Sequence, residues 1–170
     1  MEIRDATEVD LPAIVGIYNS TVPGRMATAD TEPIPVESRK AWLREHGGRR
    51  PVWIAEEGGE IMGWIALSDF QNGRPAYDAT AEVGVYVGEG RRGKGIGRLL
   101  LDEAIRRAPG LGLKTLTAGV FGHNEPSLRL FEGFGFERWA RFPGVAEVDG
   151  VERDLVVLGL RLGRYGGGRA

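Results

Sequence analysis

The stretch Val85-Tyr86-Val87-Gly88-Glu89-Gly90-Arg91-Arg92-Gly93-Lys94-Gly95-Ile96-Gly97-Arg98-Leu99-Leu100-Leu101 joins an apolar strand to an amphipathic helix. Its connecting loop carries five glycines and four cations. Glycine reaches left-handed backbone angles without steric cost, so successive N–H groups of such a loop can turn toward one point. The helix that follows adds positive potential there. This combination holds phosphate. Two common phosphate motifs fail at a residue with a chemical task. Gly88-x-x-x-x-Gly93-Lys94 follows most of the P-loop pattern, but Gly95 stands where a hydroxyl must ligate magnesium. Gly93, Gly95 and Gly97 are evenly spaced, and Arg98 replaces the last glycine of a dinucleotide-binding turn.

The rest of the chain alternates in period. Residues 2–6 read as a strand, and Thr7 caps a helix with Leu11, Ile14, Val15 and Tyr18 at helical spacing. Residues 23–35 have no period and form a loop that can wall a site. A second helix over 36–46 buries Trp42 and Leu43. Strands over 52–56 and 61–70 meet at Glu57-Gly58-Gly59-Glu60, a hairpin signal. A loop over 71–78 precedes the strand 80–87, whose odd positions Ala81, Val83, Val85 and Val87 are apolar. Glu82, Gly84 and Tyr86 share its other face. After the glycine loop, Ile96, Leu99, Leu100, Ala104, Ile105 and Ala108 predict one apolar helix stripe, stopped by Pro109-Gly110. Residues 116–121 form a strand, Asn124-Glu125-Pro126-Ser127 opens a helix, and strands over 136–141 and 155–162 join through 145–152 with a hairpin signal at Asp149-Gly150. The alternation predicts an α+β domain with a mixed sheet over residues 1–162, followed by a flexible glycine-rich tail over 163–170.

Composition narrows the chemistry. The 170 residues contain no cysteine, which excludes disulfides, thiolate metal sites and cysteine nucleophiles, and two histidines make a zinc site a poor expectation. The expectation is no metal. A net charge of -2 argues against general binding to nucleic acid or a membrane surface. The first residues, Met-Glu-Ile-Arg-Asp-Ala, lack the apolar run of a signal peptide, so a cytoplasmic location is expected.

Arg92-x-x-Gly95-x-Gly97 after a valine-rich strand resembles the acyl-CoA pyrophosphate loop of the GNAT superfamily of N-acetyltransferases. Tyr18-Asn19, residues 25–33, Glu56, Gly63, Tyr77, Ala81-Glu82, Val85-Tyr86-Val87, residues 122–127 and residues 130–136 resemble its phosphinothricin and methionine-sulfoximine acetyltransferase branch. The resemblance implies a GNAT fold, with a mixed sheet of about six to seven strands flanked by about four helices. It implies acetyl-CoA as co-substrate, a small amino-acid-like amine as acceptor, and a homodimer. By the same likeness, the backbone of Arg92, Gly93, Lys94, Gly95, Ile96, Gly97 and Arg98 holds the pyrophosphate. Val85, Tyr86 and Val87 pair with the pantetheine arm, and Asn124 and Ser127 make contacts on the CoA side. Asn124 also reads as a simple helix cap, and both roles can coexist.

Acetyl transfer to an amine needs a neutral amine and a proton for the departing thiolate. Glu82, on the strand that leads into the loop, is the candidate base, and it matches the glutamate this branch uses. A structural carboxylate is the other reading. Many GNAT proteins place a tyrosine where this chain has Phe131, which leaves Tyr86, a water or unassisted departure for the thiolate. Arg74 and Tyr77, with Arg25 and Met26 in the earlier loop, are candidate acceptor contacts. An arginine can clamp a carboxylate or phosphinate there, or simply lie solvated at the surface. His123 reads as a loop or core histidine. The alternatives to a small-molecule enzyme are a protein or peptide N-acetyltransferase and a non-catalytic acyl-CoA sensor.

Overall fold

Seven strands form one sheet in the order β1-β2-β3-β4-β5-β7-β6 in the computed structural model, which describes residues 1–164. The strands are β1 (Glu2–Asp5), β2 (Val52–Glu57), β3 (Glu60–Asp69), β4 (Thr80–Val87), β5 (Thr115–Phe121), β6 (Glu137–Val148) and β7 (Val151–Arg161). The helices are α1 (Leu11–Thr21), α2 (Ser38–Glu45), α3 (Ile96–Arg107) and α4 (Glu125–Glu132). The predicted tail begins in a short 3-10 turn, Leu162–Arg164, and the rest of it lies outside the described residues.

Each sheet face builds its own core. On one face, Leu100, Leu101 and Ala104 of α3 and Leu128 and Phe131 of α4 pack on Ile65, Leu67, Ala81, Val83 and Leu116. On the other, Leu11, Ile14 and Tyr18 of α1 and Leu43 of α2 cover Val52, Ile54, Trp64 and Ala66. The period of two sorts β4 between them: Ala81 and Val83 are buried under α3, and Tyr86 stacks on Trp64 with ring centroids 4.5 Å apart. The Trp64 indole N–H donates to the Ile14 carbonyl at 3.1 Å, which ties α1 to the sheet and satisfies a buried donor.

Turn chemistry sets the hairpins. Gly58 and Gly59 adopt φ of +60° and +81°, the left-handed pair that a two-residue hairpin needs. Asp149 and Gly150, at +53° and +75°, repeat it between β6 and β7. That hairpin is much longer than the sequence reading drew it. Pro143 and Gly144 look like a break, but β6 is an edge strand and absorbs them in a register shift between Phe142 and Ala146. The Asp154 carboxylate accepts from the Gly144 N–H at 2.9 Å across the bulge.

The α3 stripe is also corrected. Leu99 is 41% exposed, whereas Leu101 is fully buried. At about 100° per residue, Leu99 sits roughly 140° round the helix from Ala104, the middle of the buried face, so the stripe runs through Leu100 and Leu101 instead.

The pairing of β4 with β5 positions the site. It is the one parallel pair among the described residues, with α3 in the crossover, and it holds only for Thr80, Ala81 and Glu82 against Thr115, Leu116 and Thr117. Both strands then continue without each other, so β4 from Val83 to Val87 presents an unpaired backbone edge to a cleft. Backbone polar groups along such an edge require a partner.

Candidate active site

The glycine loop closes one end of this cleft. Gly90, Gly93 and Gly95 take φ of +72°, +75° and +81°, and Gly95 is the N-cap of α3. Arg91 N–H returns to the Gly88 carbonyl, and Leu99 N–H is the first of the helix to find an acceptor, at Gly95. Among the described residues, no acceptor takes the backbone N–H of any residue from Arg92 to Arg98. This run of free donors at a helix N-terminus fits a pyrophosphate. The side chains add charge. Arg91 is engaged with Glu60, whereas Arg92, Lys94 and Arg98 have no carboxylate partner among the described residues. Gly97 serves packing: a Cβ there would meet Leu130 at 3.4 Å and Val87 at 3.7 Å, so glycine lets α3 lie close to the cleft wall.

A cavity of about 840 Å³ fills the cleft. It joins the loop, β4 from Glu82 to Val87, Gly119–Phe121 of β5, and Asn124, Pro126 and Ser127 at the start of α4. Met26, Ala27, Thr28 and Ala29 make the opposite wall. The sequence-predicted Val85, Tyr86, Val87, Arg92, Gly93, Gly95, Ile96, Gly97, Arg98, Asn124, Ser127, Met26 and Glu82 are thereby brought to one space. Lys94 is exposed beside it.

The Glu82 carboxylate opens onto this cavity and accepts no hydrogen bond among the described residues. Partial burial pushes its carboxyl above the ordinary 4.5. Tyr86 lies between Trp64 and Tyr18, whose ring centroid is 5.2 Å away, and burial pushes its phenol well up, so it keeps its proton at neutral pH. Phe131 is buried edge-on to Phe136 at 5.1 Å and offers no proton.

The Met26–Ala29 wall is pinned from several sides. Asn19 exchanges two hydrogen bonds with the Ile34 backbone, both 2.9 Å. The Tyr18 hydroxyl meets Thr28 and donates to Asp30. His123 Nε2 donates to the Arg25 carbonyl at 2.9 Å, which makes His123 a strut of this loop. Asn124 caps α4, accepting from Ser127 N–H at 3.2 Å, and its amide also donates to the Met26 carbonyl at 3.1 Å.

The structure does not bring Arg25, Arg74 or Tyr77 into the cavity. Arg25 takes a left-handed φ of +54° and points its guanidinium away, to Asp149 at 2.9 Å and the Thr31 carbonyl at 2.6 Å. Arg74 and Tyr77 are exposed on the connection before β4, with Tyr77 edge-on to Phe70 at 5.4 Å. Gly119, Leu155 and Val157 line the cavity and were missed. They come from strands whose distance from β4 is set by pairing, which leaves no local signal.

Residues 14–136 match the acetyltransferase (GNAT) family. YwnH of Bacillus subtilis is 52% identical over 162 residues, covering 95% of this chain and 99% of that protein. The L-methionine sulfoximine/L-methionine sulfone acetyltransferase of Pseudomonas paraeruginosa is 34% identical over 162 residues, 94% of each. The crystal structure of a GNAT superfamily phosphinothricin acetyltransferase from Sinorhizobium meliloti in complex with AcCoA is similar with a TM-score of 0.90 at 29% identity, over 99% of this chain and 91% of that one. With the mixed seven-stranded sheet, the splayed β4 edge and the free donors of the glycine loop, these likenesses establish that the chain belongs to the GNAT family of acetyl-CoA-dependent N-acetyltransferases.

Proposed function

We propose that the protein acetylates the primary amine of a small amino-acid-like acceptor of the phosphinothricin or methionine sulfoximine kind, by direct transfer, with Glu82 as general base. The observation that carries this reading is the shared cavity. One strand, β4, leads from the only carboxylate that lines it among the described residues to the loop whose donors from Arg92 to Arg98 are free. Acetyl-CoA, when bound, supplies the thioester acyl group. The loop would hold its pyrophosphate, the β4 edge at Val85, Tyr86 and Val87 would pair with its amides, and Asn124 and Ser127 would border the same arm.

Glu82 takes a proton from the acceptor ammonium and leaves a neutral amine, which forms the new C–N bond as the C–S bond breaks; the nitrogen then gives up a second proton to become an amide, which balances the proton that the thiolate takes up. A raised carboxyl pKa suits it to that exchange, because a base works best near the operating pH. Tyr86 lines the cavity with its hydroxyl protonated, and it is the side chain we assign as donor to the thiolate, beside water or unassisted departure. The pinned Met26–Ala29 wall favours a small closed pocket over a peptide groove. Arg74 and Tyr77 stand outside the cavity, and their contribution would be at its approach. We take residues 1–162 as one catalytic domain working in the cytoplasm, where acetyl-CoA is available. Trp139, Phe142 and Val151, exposed on one face of the β6–β7 hairpin, support a homodimer through that face.

CoA thiol release with a panel of amines tests the reading. Release should follow methionine sulfoximine, methionine sulfone or phosphinothricin. Release with peptides alone would make the protein a peptide acetyltransferase, and binding without release would make it a sensor.

A further inference from the structure

Arg25 and Arg74 do not reach the cavity, and the arginines that line it belong to the glycine loop and to α4. An amino-acid acceptor nevertheless brings a carboxylate. Arg39 of α2 is half-buried, and its guanidinium carbon lies 5.0 Å from the ring centroids of both Tyr18 and Trp42. Two aromatic faces therefore hold a planar cation in one orientation. The neighbouring Lys40 pairs with Glu37 at 2.9 Å, but Arg39 has no carboxylate partner, and its side chain donates no hydrogen bond, among the described residues. A guanidinium so placed has five N–H donors without a protein acceptor.

Aromatic contacts connect this cation to the cavity wall. Tyr18 lies 5.2 Å from Tyr86 between ring centroids, Trp42 meets Trp64 edge-on at 5.7 Å, and Trp64 stacks on Tyr86. Tyr86 lines the cavity, and its ring leans back along β4, where a Cβ on Gly84 would meet it at 3.3 Å. Glu82, Gly84 and Tyr86 share one face of that strand. Charges from three elements act on the Tyr86 hydroxyl. Burial, Tyr18, Asp30 and Glu82 push its pKa up, and Arg39 opposes them. Asp30 is occupied by the Tyr18 hydroxyl. Glu82 and Arg39 have no such partner, and their charges are opposite.

We propose that Arg39 binds the α-carboxylate of the acceptor while the amine faces Glu82, so that the site selects α-amino acids over plain amines. The inference rests on the proposed acetylation of a small amino-acid-like acceptor. Methionine sulfoximine, methionine sulfone and phosphinothricin all carry that carboxylate. A zwitterion suits a site that offers it a free carboxylate and a free guanidinium. The stacked guanidinium presents its N–H groups in a fixed plane, the geometry that a carboxylate accepts in a bidentate pair. Because the rings already order the side chain, little freedom is lost when the acceptor binds.

The test measures CoA thiol release by the purified parent, Arg39→Met and Arg39→Lys, with folding checked by circular dichroism. The acceptors are methionine sulfone and its decarboxylated amine, methylsulfonylpropylamine; where the amine turns over too slowly, its inhibition constant serves. Arg39→Met, which keeps an apolar stem between the rings, should raise KM for methionine sulfone about tenfold or more and leave KM for acetyl-CoA within about twofold. The constant for the amine should not change, and Arg39→Lys, which keeps the charge, should recover part of the loss. An equal loss for amino acid and amine would make Arg39 a support for Tyr18 and Trp42 and overturn the proposal. A parental KM for methionine sulfone in Arg39→Met overturns it too, and leaves the proposed function standing. A parent that releases no thiol with methionine sulfone, methionine sulfoximine or phosphinothricin overturns both.

Discussion

Asn124 holds Met26 through a side-chain amide donated to the Met26 carbonyl at 3.1 Å, while its oxygen caps α4. One residue therefore joins the helix that borders the proposed CoA side of the cavity to the loop that walls its proposed acceptor side. Asn124→Ala should cost about 1 kcal/mol from the lost cap and also release the wall. The expected outcome is a modest fall in Tm with a several-fold rise in acceptor KM. A fall in Tm with both KM values unchanged would reduce Asn124 to a cap.

The glycine loop predicts a sharp response at Gly95, where φ is +81° and no neighbouring atom lies within 4 Å of an added Cβ. A substitution there meets open space but strains the backbone by about 1 kcal/mol. Gly95→Glu also sets a carboxylate at the proposed pyrophosphate seat. Acetyl-CoA affinity by titration calorimetry should drop at least tenfold with the far-UV spectrum retained. Unchanged affinity in the folded variant would move the pyrophosphate elsewhere.

Acid stability should hinge on Asp10. This carboxylate is 5% exposed, accepts from two Arg4 nitrogens at 2.9 Å each and from Thr7 N–H at 2.7 Å, and is held down to about 2 from the usual 3.8. The unfolded chain protonates Asp10 first as pH falls. Its contribution, about 2 kcal/mol, is therefore complete above pH 3.8 and is lost as pH drops toward 2. Urea unfolding of Asp10→Asn and the parent should differ clearly at pH 6 and converge near pH 2.

Much of this arrangement was legible because it is local. Hydrophobic alternation marked β4 and set Glu82 on the face opposite Ala81 and Val83, and the glycine and cation pattern marked the loop. Asn124, Pro126 and Ser127 carried their cap in their spacing. What escaped is set by contacts distant in sequence. Leu99 and Leu101 are chemically alike, and only the place where α3 meets the sheet decides which is buried. Pro143 is tolerated because β6 is an edge strand, a fact of topology. Arg25 is drawn off by Asp149, 124 positions along the chain, which no spacing rule foresees. The splay of β4 from β5, which makes the cavity, likewise follows from pairing between strands that α3 separates.

The central claim is that Glu82 deprotonates the acceptor. Its carboxyl titrates above the ordinary 4.5, and the ionised form is the base, so kcat/KM should rise with pH through that raised value. The direct measurement is the pH–rate profile of Glu82→Gln beside the parent, followed by CoA thiol release. The account predicts a loss of about 10²-fold in kcat and disappearance of the acid limb, with acetyl-CoA affinity intact. A variant that keeps the parental rate and the same limb would contradict it.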